Sequence, residues 1–165
     1  MIKILVFDWG DTLMRDLPEC TGSMAFWPRV ELMPNVFEAL NAVSKRYTCC
    51  VASNAGSSDG VLMGKALERV GINDHFSFRL TSKELGFKKP EPQFYSEIVK
   101  NTGYNSEEHV MIGNDYFRDI KPAKEIGMKT ILVSRELPPE SLEAADFVIS
   151  DMTQLEDTLS KFANI

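Results

Sequence analysis

The apolar residues of this chain fall into short, nearly continuous runs, separated by longer segments of mixed polarity. Runs of this kind are typical of strands buried on both faces of a parallel sheet. Four runs are pronounced, and two shorter runs predict additional strands. The pronounced runs are residues 2–7, 47–52, 110–113 and 130–133, and the shorter ones are residues 76–80 and 147–149.

Between these runs, apolar residues recur three or four positions apart, which places them on one face of a helix. Gly71, Gly103 and Gly127 are predicted to close the middle helices, because glycine adopts the left-handed conformation that follows a last helical turn. Pro34 and Pro90 are predicted to open helices. The apolar faces are Val36, Leu40 and Val43; Leu62, Ala66 and Val70; Phe94, Ile98 and Val99; and Leu155, Leu159 and Phe162.

The alternation of strands and helices predicts an α/β fold, a three-layer α/β/α sandwich around a mainly parallel sheet. A chain of 165 residues has room for a single domain, residues 1–165. It contains no apolar run long enough to cross a bilayer and no charged-then-apolar leader, so we expect a cytoplasmic protein without a membrane partner. A net charge of −6 argues against a nucleic-acid partner, which would require clustered Lys and Arg.

The cysteine and histidine pattern indicates neither a zinc site nor a disulfide framework. Cys20, Cys49 and Cys50 show no Cys-x-x-Cys spacing, and His75 and His109 lie far from them in sequence. Cys49 and Cys50 fall inside an apolar run, so we expect small buried side chains. Both histidines flank predicted strands and are interpreted as structural.

Polar residues follow three of the apolar runs, at the strand ends where ligands bind in sheets of this type. They are Asp8, Ser53 with Asn54, and Asn114 with Asp115. Together they would supply the hard oxygen ligands of a divalent metal and phosphate site. The alternative is that each of them only caps the helix or turn that follows.

Four short segments occur in a fixed order along the whole chain. They are Phe7-Asp8-Trp9-Gly10-Asp11-Thr12-Leu13, Ala52-Ser53-Asn54, Lys89-Pro90-Glu91-Pro92, and Ile112-Gly113-Asn114-Asp115 followed by Asp119-Ile120 and Ala123. Together they resemble the four motifs of the haloacid dehalogenase superfamily, each at the expected strand end or helix start. The resemblance implies a Rossmann-like fold and a phosphatase-type hydrolase.

The resemblance also implies the catalytic roles. Asp8 would be the nucleophile, since a carboxylate that attacks phosphorus forms an acyl-phosphate that water later cleaves. Ser53 and Asn54 would bind the phosphoryl group, with backbone N–H groups of the following turn. Lys89 would balance the negative charge, and Lys88 is interpreted as its solvated neighbour.

A Mg²⁺ cofactor is implied as well, held by Asp8, the backbone carbonyl of Gly10 and Asp115. The acid of the fourth motif is expected where Asn114 stands, so either Asn114 or Asp115 binds the metal. We favour Asp115 because an ionised oxygen suits Mg²⁺ better than an amide. Asp119 is predicted to orient Lys89 or a metal-bound water. Its alternative is a charge in the first turn of a helix.

The first motif departs from the phosphatase pattern at Gly10, where those members carry an aspartate that protonates the leaving group. General acid–base help of this kind contributes roughly 10²- to 10⁴-fold in rate. Asp11 is the nearby carboxylate that could substitute, or it only shapes the turn. We therefore expect a preference for good leaving groups, which need no proton.

Neither position at which this superfamily inserts a cap domain is large. Residues 14–33 form a flap with Phe26 and Trp27, which either touch substrate or pack on the domain. Residues 57–87 are accounted for by one helix and one strand. An open site accommodates a phosphorylated small molecule or a phosphorylated macromolecule, unless a second subunit of a homo-oligomer supplies the lid.

Two other functions fit parts of the pattern. A 2-haloacid dehalogenase uses the same aspartate without Mg²⁺, but it encloses a small apolar substrate under a cap. A non-catalytic phosphate- or protein-binding module is suggested by Gly10 and Asn114.

Overall fold

The computed structural model describes residues 1–136 and 142–164, and its centre is a six-stranded sheet. The strands are β1 Ile4–Phe7, β2 Thr48–Ser53, β3 Phe76–Thr81, β4 His109–Gly113, β5 Lys129–Val133 and β6 Phe147–Ile149. They are arranged in the order β3-β2-β1-β4-β5-β6, and every neighbouring pair is parallel. All six predicted strands are therefore confirmed.

The helices lie between the strands. They are α1 Val36–Val43, α2 Gly60–Arg69, α3 Ser82–Leu85, α4 Pro92–Thr102, α5 Lys121–Glu125 and α6 Leu155–Lys161. Shorter 3-10 turns are Met24–Phe26, Asn73–His75, Ser106–Glu108, Met152–Gln154 and Phe162–Asn164, and Tyr116–Ile120 forms a π turn. Within residues 1–136 and 142–164, no helix has both the length and the apolar character needed to span a membrane.

The central strand β1 shows how the layers form, because alternate side chains of a strand point to opposite faces. Leu5 and Phe7 belong to a core cluster with side chains of α1, α2 and α6. Ile4 and Val6 belong to a second cluster with side chains of α4 and α5. Helices thus cover both faces of the sheet, which confirms the predicted three-layer α/β/α sandwich.

The proline predictions need correction. Pro90 does not open a helix: α4 begins two residues later at Pro92, a first helical position that proline occupies without losing a helical hydrogen bond. Pro90 instead follows Lys89 through a cis peptide bond. Pro34 likewise lies before α1, whose N-cap is Asn35. The predicted glycine positions are confirmed, since Gly71, Gly103 and Gly127 have φ values of 75°, 78° and 90°.

The cysteines and histidines have structural contacts. Cys49 and Cys50 are buried in β2, and burial raises the pKa of the Cys49 thiol to about 12. His109 is fully buried, with Nδ1 2.8 Å from the carbonyl oxygen of Asn105 and Nε2 2.7 Å from the hydroxyl of Thr102. His75 Nδ1 lies 3.1 Å from the hydroxyl of Ser44.

Candidate active site

The carboxyl ends of β1, β2 and β4 form one edge of the sheet, and β1 lies between the other two strands. The chain therefore reverses its direction of winding here, the position at which α/β sheets bind ligands. Every site residue predicted from the sequence lines one cavity of about 250 Å³ at this edge. They are Asp8, Gly10, Asp11, Ser53, Asn54, Lys89, Asn114, Asp115 and Asp119.

Lys89 connects two carboxylates inside this cavity. Its Nζ is 2.7 Å from Asp8 Oδ1 and 2.8 Å from Asp119 Oδ1. Only 3% of the Lys89 side chain is exposed, against 12% for Asp8. Burial disfavours the charged ammonium, but the two carboxylates outweigh burial, so the pKa of Lys89 is raised. Lys89 is therefore a fixed positive charge beside Asp8.

Lys88 does not point into the cavity. It is exposed, and its backbone N–H donates to Glu91 Oε1 at 2.8 Å. Of the two neighbouring lysines, only Lys89 therefore reaches the cavity.

Asp119 lies against the end of β4 because Gly113 leaves room for it. A Cβ atom on Gly113 would come within 2.3 Å of Asp119 Oδ2 and 2.5 Å of Asp119 Cβ. The second oxygen of Asp119 accepts the backbone N–H of Asp115 at 3.1 Å. Burial and the nearby charge of Asp8 raise the pKa of Asp119 to about 6, against the lowering effect of Lys89. Asp119 therefore contacts Lys89 directly, and its role in orienting Lys89 or a metal-bound water stays a prediction.

Asn54 holds the backbone of Lys89 in place. Its Oδ1 accepts the Lys89 N–H at 2.7 Å, and its Nδ2 donates to the Lys89 carbonyl at 3.3 Å. The Ser82 hydroxyl in turn donates to the Asn54 carbonyl at 2.8 Å. The Asn54 amide thus positions Lys89. The sequence predicted a substrate-binding role for Asn54 and did not predict this contact.

Thr12, which is almost fully buried, brings Asp8 and Asn114 together. Its Oγ1 lies 3.1 Å from Asp8 Oδ2 and 3.1 Å from Asn114 Oδ1. A hydroxyl has one proton, so it donates to only one of these oxygens at a time. Two acceptor oxygens from different strand ends therefore converge at this point.

Asp115 caps the π turn that follows β4. Its Oδ1 accepts the backbone N–H groups of Phe117 at 3.0 Å and Arg118 at 2.9 Å. Its Oδ2 lies 3.9 Å from Nε of Arg118. The hydroxyl of Tyr95 donates to the carbonyl of Arg118, which ties the turn to α4. Asp115 therefore both caps the following turn and lines the cavity.

The oxygen donors of the cavity fit Mg²⁺. Among the described residues, no three His, Cys, Asp or Glu side chains are grouped to hold a metal ion. The cavity offers the carboxylates of Asp8 and Asp115, the amide of Asn114 and the backbone at Gly10. Mg²⁺ typically takes one or two carboxylates and completes its shell with water and phosphate oxygens, so these residues fit it.

Asp11 stabilises the turn after the first motif. It has a left-handed backbone with φ of 58°, and its Oδ1 accepts the backbone N–H of Asp16 at 2.9 Å. A short bridge pairs Gly10 with Met14, and a second pairs Met14 with Leu32. The turn-shaping role weighed in the sequence is thus present, and a catalytic role for Asp11 stays a prediction.

The flap, residues 14–33, packs on the body of the protein. Arg69 of α2 donates to the carbonyl of Met24 at 3.0 Å, and the Ser58 hydroxyl donates to Ser23 Oγ at 2.7 Å. Trp27 is buried, whereas Phe26 is 73% exposed. The packing alternative therefore holds for Trp27.

Three residues were not assigned a role from the sequence: Asp16 and Arg118, which line the cavity, and Thr12, which contacts two residues of its lining. Thr12 lies inside the first motif, and this position could have indicated a role in the site. Arg118 precedes Asp119 in the fourth motif, and 67% of its side chain is exposed at the cavity. Nothing in the sequence indicated that Asp16 lines the cavity, because its position depends on the turn at residues 10–14.

Comparison with known proteins identifies the family. The profile of the haloacid dehalogenase-like hydrolase family matches residues 13–133. The chain belongs to this family. The matched span begins after Asp8, so the place of Asp8 rests on the geometry above.

Two relatives are glyceraldehyde 3-phosphate phosphatases. The one from Methanocaldococcus jannaschii is 39% identical over 93 residues, 55% of this chain and 41% of the relative. The one from Methanothermobacter thermautotrophicus is 33% identical over 133 residues, 76% of this chain and 58% of the relative. The chain thus spans about half the length of these curated relatives.

A solved structure of an uncharacterized protein from Listeria monocytogenes serotype 4b has the same fold. It superimposes with a TM-score of 0.87, covers 99% of this chain and 100% of its own chain, and is 24% identical. The whole described fold, without a large cap domain, therefore occurs in another chain.

Proposed function

We propose that this chain is a Mg²⁺-dependent phosphatase that hydrolyses phosphate monoesters through a covalent aspartyl-phosphate on Asp8. The observation that carries the proposal is the Asp8 carboxylate, 2.7 Å from the buried Lys89 ammonium, in a polar cavity at the sheet edge. The phosphatase names of the two relatives support the same class of reaction.

In the first step, a carboxylate oxygen of Asp8 attacks phosphorus, and the bond from phosphorus to the leaving oxygen breaks. In the second step, water attacks the same phosphorus, the bond to Asp8 breaks, and inorganic phosphate leaves. This division replaces one difficult displacement with two easier ones. Lys89 lowers the repulsion between Asp8 and the incoming dianion, because its charge is already in place before substrate binds.

Polar groups around Asp8 would bind the phosphoryl oxygens. The Ser53 hydroxyl lines the cavity and has no hydrogen-bond partner within the described part of the chain. Arg118 adds a second cation at the exposed side. When bound by Asp8, the Gly10 carbonyl and Asp115 or Asn114, Mg²⁺ would neutralise further charge on the phosphoryl group.

The substrate would be a phosphorylated small molecule or a phosphorylated macromolecule. A second cavity of about 360 Å³ shares Ser53 and Arg118 with the first and extends under the flap to Trp9 and Trp27. This space would receive the part of the substrate beyond phosphorus. Within residues 1–136 and 142–164 the chain forms no cap domain that would enclose the small substrate of a dehalogenase, which disfavours that alternative.

The test measures Mg²⁺-supported hydrolysis of p-nitrophenyl phosphate by the wild type and by Asp8→Asn. We expect a loss of at least about a thousandfold in Asp8→Asn. Asp157→Asn, which changes an exposed carboxylate of α6, serves as the matched control and should retain wild-type turnover. During turnover, acid-quenched wild type should carry a phosphoryl label that hydroxylamine releases, because hydroxylamine cleaves acyl-phosphates.

Equal turnover by Asp8→Asn and the wild type would contradict the proposal. Phosphate binding without any turnover would indicate the binding-module alternative instead. Halide release from 2-chloropropionate without phosphatase activity would indicate the dehalogenase.

A further inference from the structure

The structure places a carboxylate next to the position where the first motif lacks one. A Cβ atom built on Gly10 would meet Cβ of Asp16 at 3.9 Å, and nothing else within 4 Å. The space that a side chain at residue 10 would enter is therefore bordered by Asp16. Both residues line the cavity that contains Asp8.

Asp16 also stands at the junction of the two cavities. Gly10, Asp16, Ser53 and Arg118 line both the cavity of Asp8 and the cavity under the flap. With phosphorus at Asp8 and the rest of the substrate under the flap, the oxygen that joins them lies at this junction. That oxygen is the atom that needs a proton when an alkyl phosphate is cleaved.

One oxygen of the Asp11 carboxylate is engaged in the turn, whereas both oxygens of Asp16 are available for proton transfer. Asp11 Oδ1 accepts the Asp16 backbone N–H at 2.9 Å, which fixes the turn that carries Asp16. Within residues 1–136 and 142–164, the Asp16 carboxylate makes no hydrogen bond or ion pair. The Asp16 side chain is exposed to solvent.

We propose that Asp16 is the general acid and base of the phosphatase reaction, in place of the carboxylate absent at Gly10. This inference rests on the proposed function.

As the Asp8 oxygen bonds to phosphorus, the bond to the leaving oxygen breaks, and the carboxyl proton of Asp16 passes to that oxygen to give the alcohol. The Asp16 carboxylate then takes a proton from the attacking water, the bond between Asp8 and phosphorus breaks, and phosphate leaves. Alkyl phosphates are thus substrates, contrary to the expected preference for good leaving groups.

The test compares kcat/KM for p-nitrophenyl phosphate and for ethyl phosphate. This constant covers the steps through departure of the alcohol, so it isolates the acid. We expect Asp16→Asn to lower kcat/KM for ethyl phosphate about 10²- to 10⁴-fold, and for p-nitrophenyl phosphate less than about tenfold. Across a series of alcohol leaving groups, log kcat/KM should depend more steeply on leaving-group pKa in Asp16→Asn than in the wild type.

A rescue variant separates catalysis from a structural effect. Gly10→Asp in the Asp16→Asn background returns a carboxylate to the same space, and ordinary van der Waals distance to Asp16 leaves room for it. We expect it to regain at least tenfold of the ethyl phosphate activity. Glu19→Gln changes a flap carboxylate outside both cavities and should match the wild type.

Three results would overturn the inference. They are an unchanged leaving-group dependence in Asp16→Asn, an equal loss on both substrates without rescue by Gly10→Asp, and a selective loss on ethyl phosphate in Asp11→Asn. Each leaves the proposed function standing, provided that Asp8→Asn remains inactive. Turnover by Asp8→Asn would instead remove the proposed function itself.

Discussion

Lys89 Nζ lies 2.8 Å from Asp119 Oδ1, and both side chains are almost wholly buried. With Asp8 on the other side of the ammonium, one positive charge is shared between two carboxylates. Such a group is costly to desolvate, so its members depend on one another. The same contact keeps a cation beside the proposed nucleophile.

Lys89→Met would leave the carboxylates of Asp8 and Asp119 without their cation. We expect the free energy of unfolding to fall by about 3–5 kcal/mol, because removing one partner leaves uncompensated buried charge. Lys89→Met/Asp119→Asn should regain most of that stability but no phosphatase activity, since the amide removes one negative charge. Urea unfolding and turnover measured on the same samples check both statements.

Lys88→Met is the matched control, because Lys88 is exposed. A double variant as unstable as the single one would contradict the charge explanation.

Asp115→Asn separates the metal role from the helix-cap role of Asp115. An asparagine oxygen can still accept the N–H groups of Phe117 and Arg118, so the melting temperature should stay at the wild-type value. The half-saturating Mg²⁺ concentration should rise at least about tenfold, because an amide is a weaker ligand than a carboxylate. Titration of Mg²⁺ into enzyme treated with EDTA measures this. An unchanged Mg²⁺ requirement, together with a raised one in Asn114→Ala, would assign the metal to Asn114 instead.

His109 should make the protein less stable in mild acid. Burial lowers the pKa of His109 below its ordinary 6.5, so the unfolded chain takes up a proton that the folded chain does not. Its contribution to stability is present above pH 6.5 and is lost as pH falls toward the folded pKa, by up to about 1.4 kcal/mol per pH unit. Urea unfolding at pH 7.5 and pH 5.5 should show a smaller loss in His109→Gln than in the wild type. Equal losses in both proteins would exclude His109 as the source.

The strands could be predicted because each is buried on both faces and therefore reads as an uninterrupted apolar run. Even the three-residue strand Phe147–Ile149 was located with its ends. Pro90 was misassigned because a proline before a helix and a proline at its first position look alike in sequence. Only the observed start of α4 at Pro92 separates them.

By itself the sequence determined the alternating fold, the edge of the sheet that carries the polar residues, and the family. These follow from the sequence pattern, since periodicity is a property of neighbouring residues and each motif is recognised by its own residues and its order in the chain. The tertiary structure decided which side chains meet. Lys89 and Asp119 are 30 positions apart, and Asp16 borders the space beside Gly10 only because the chain turns back after the first motif. Such distances depend on how separate segments pack against one another. No local pattern in the sequence predicts an individual contact of this kind.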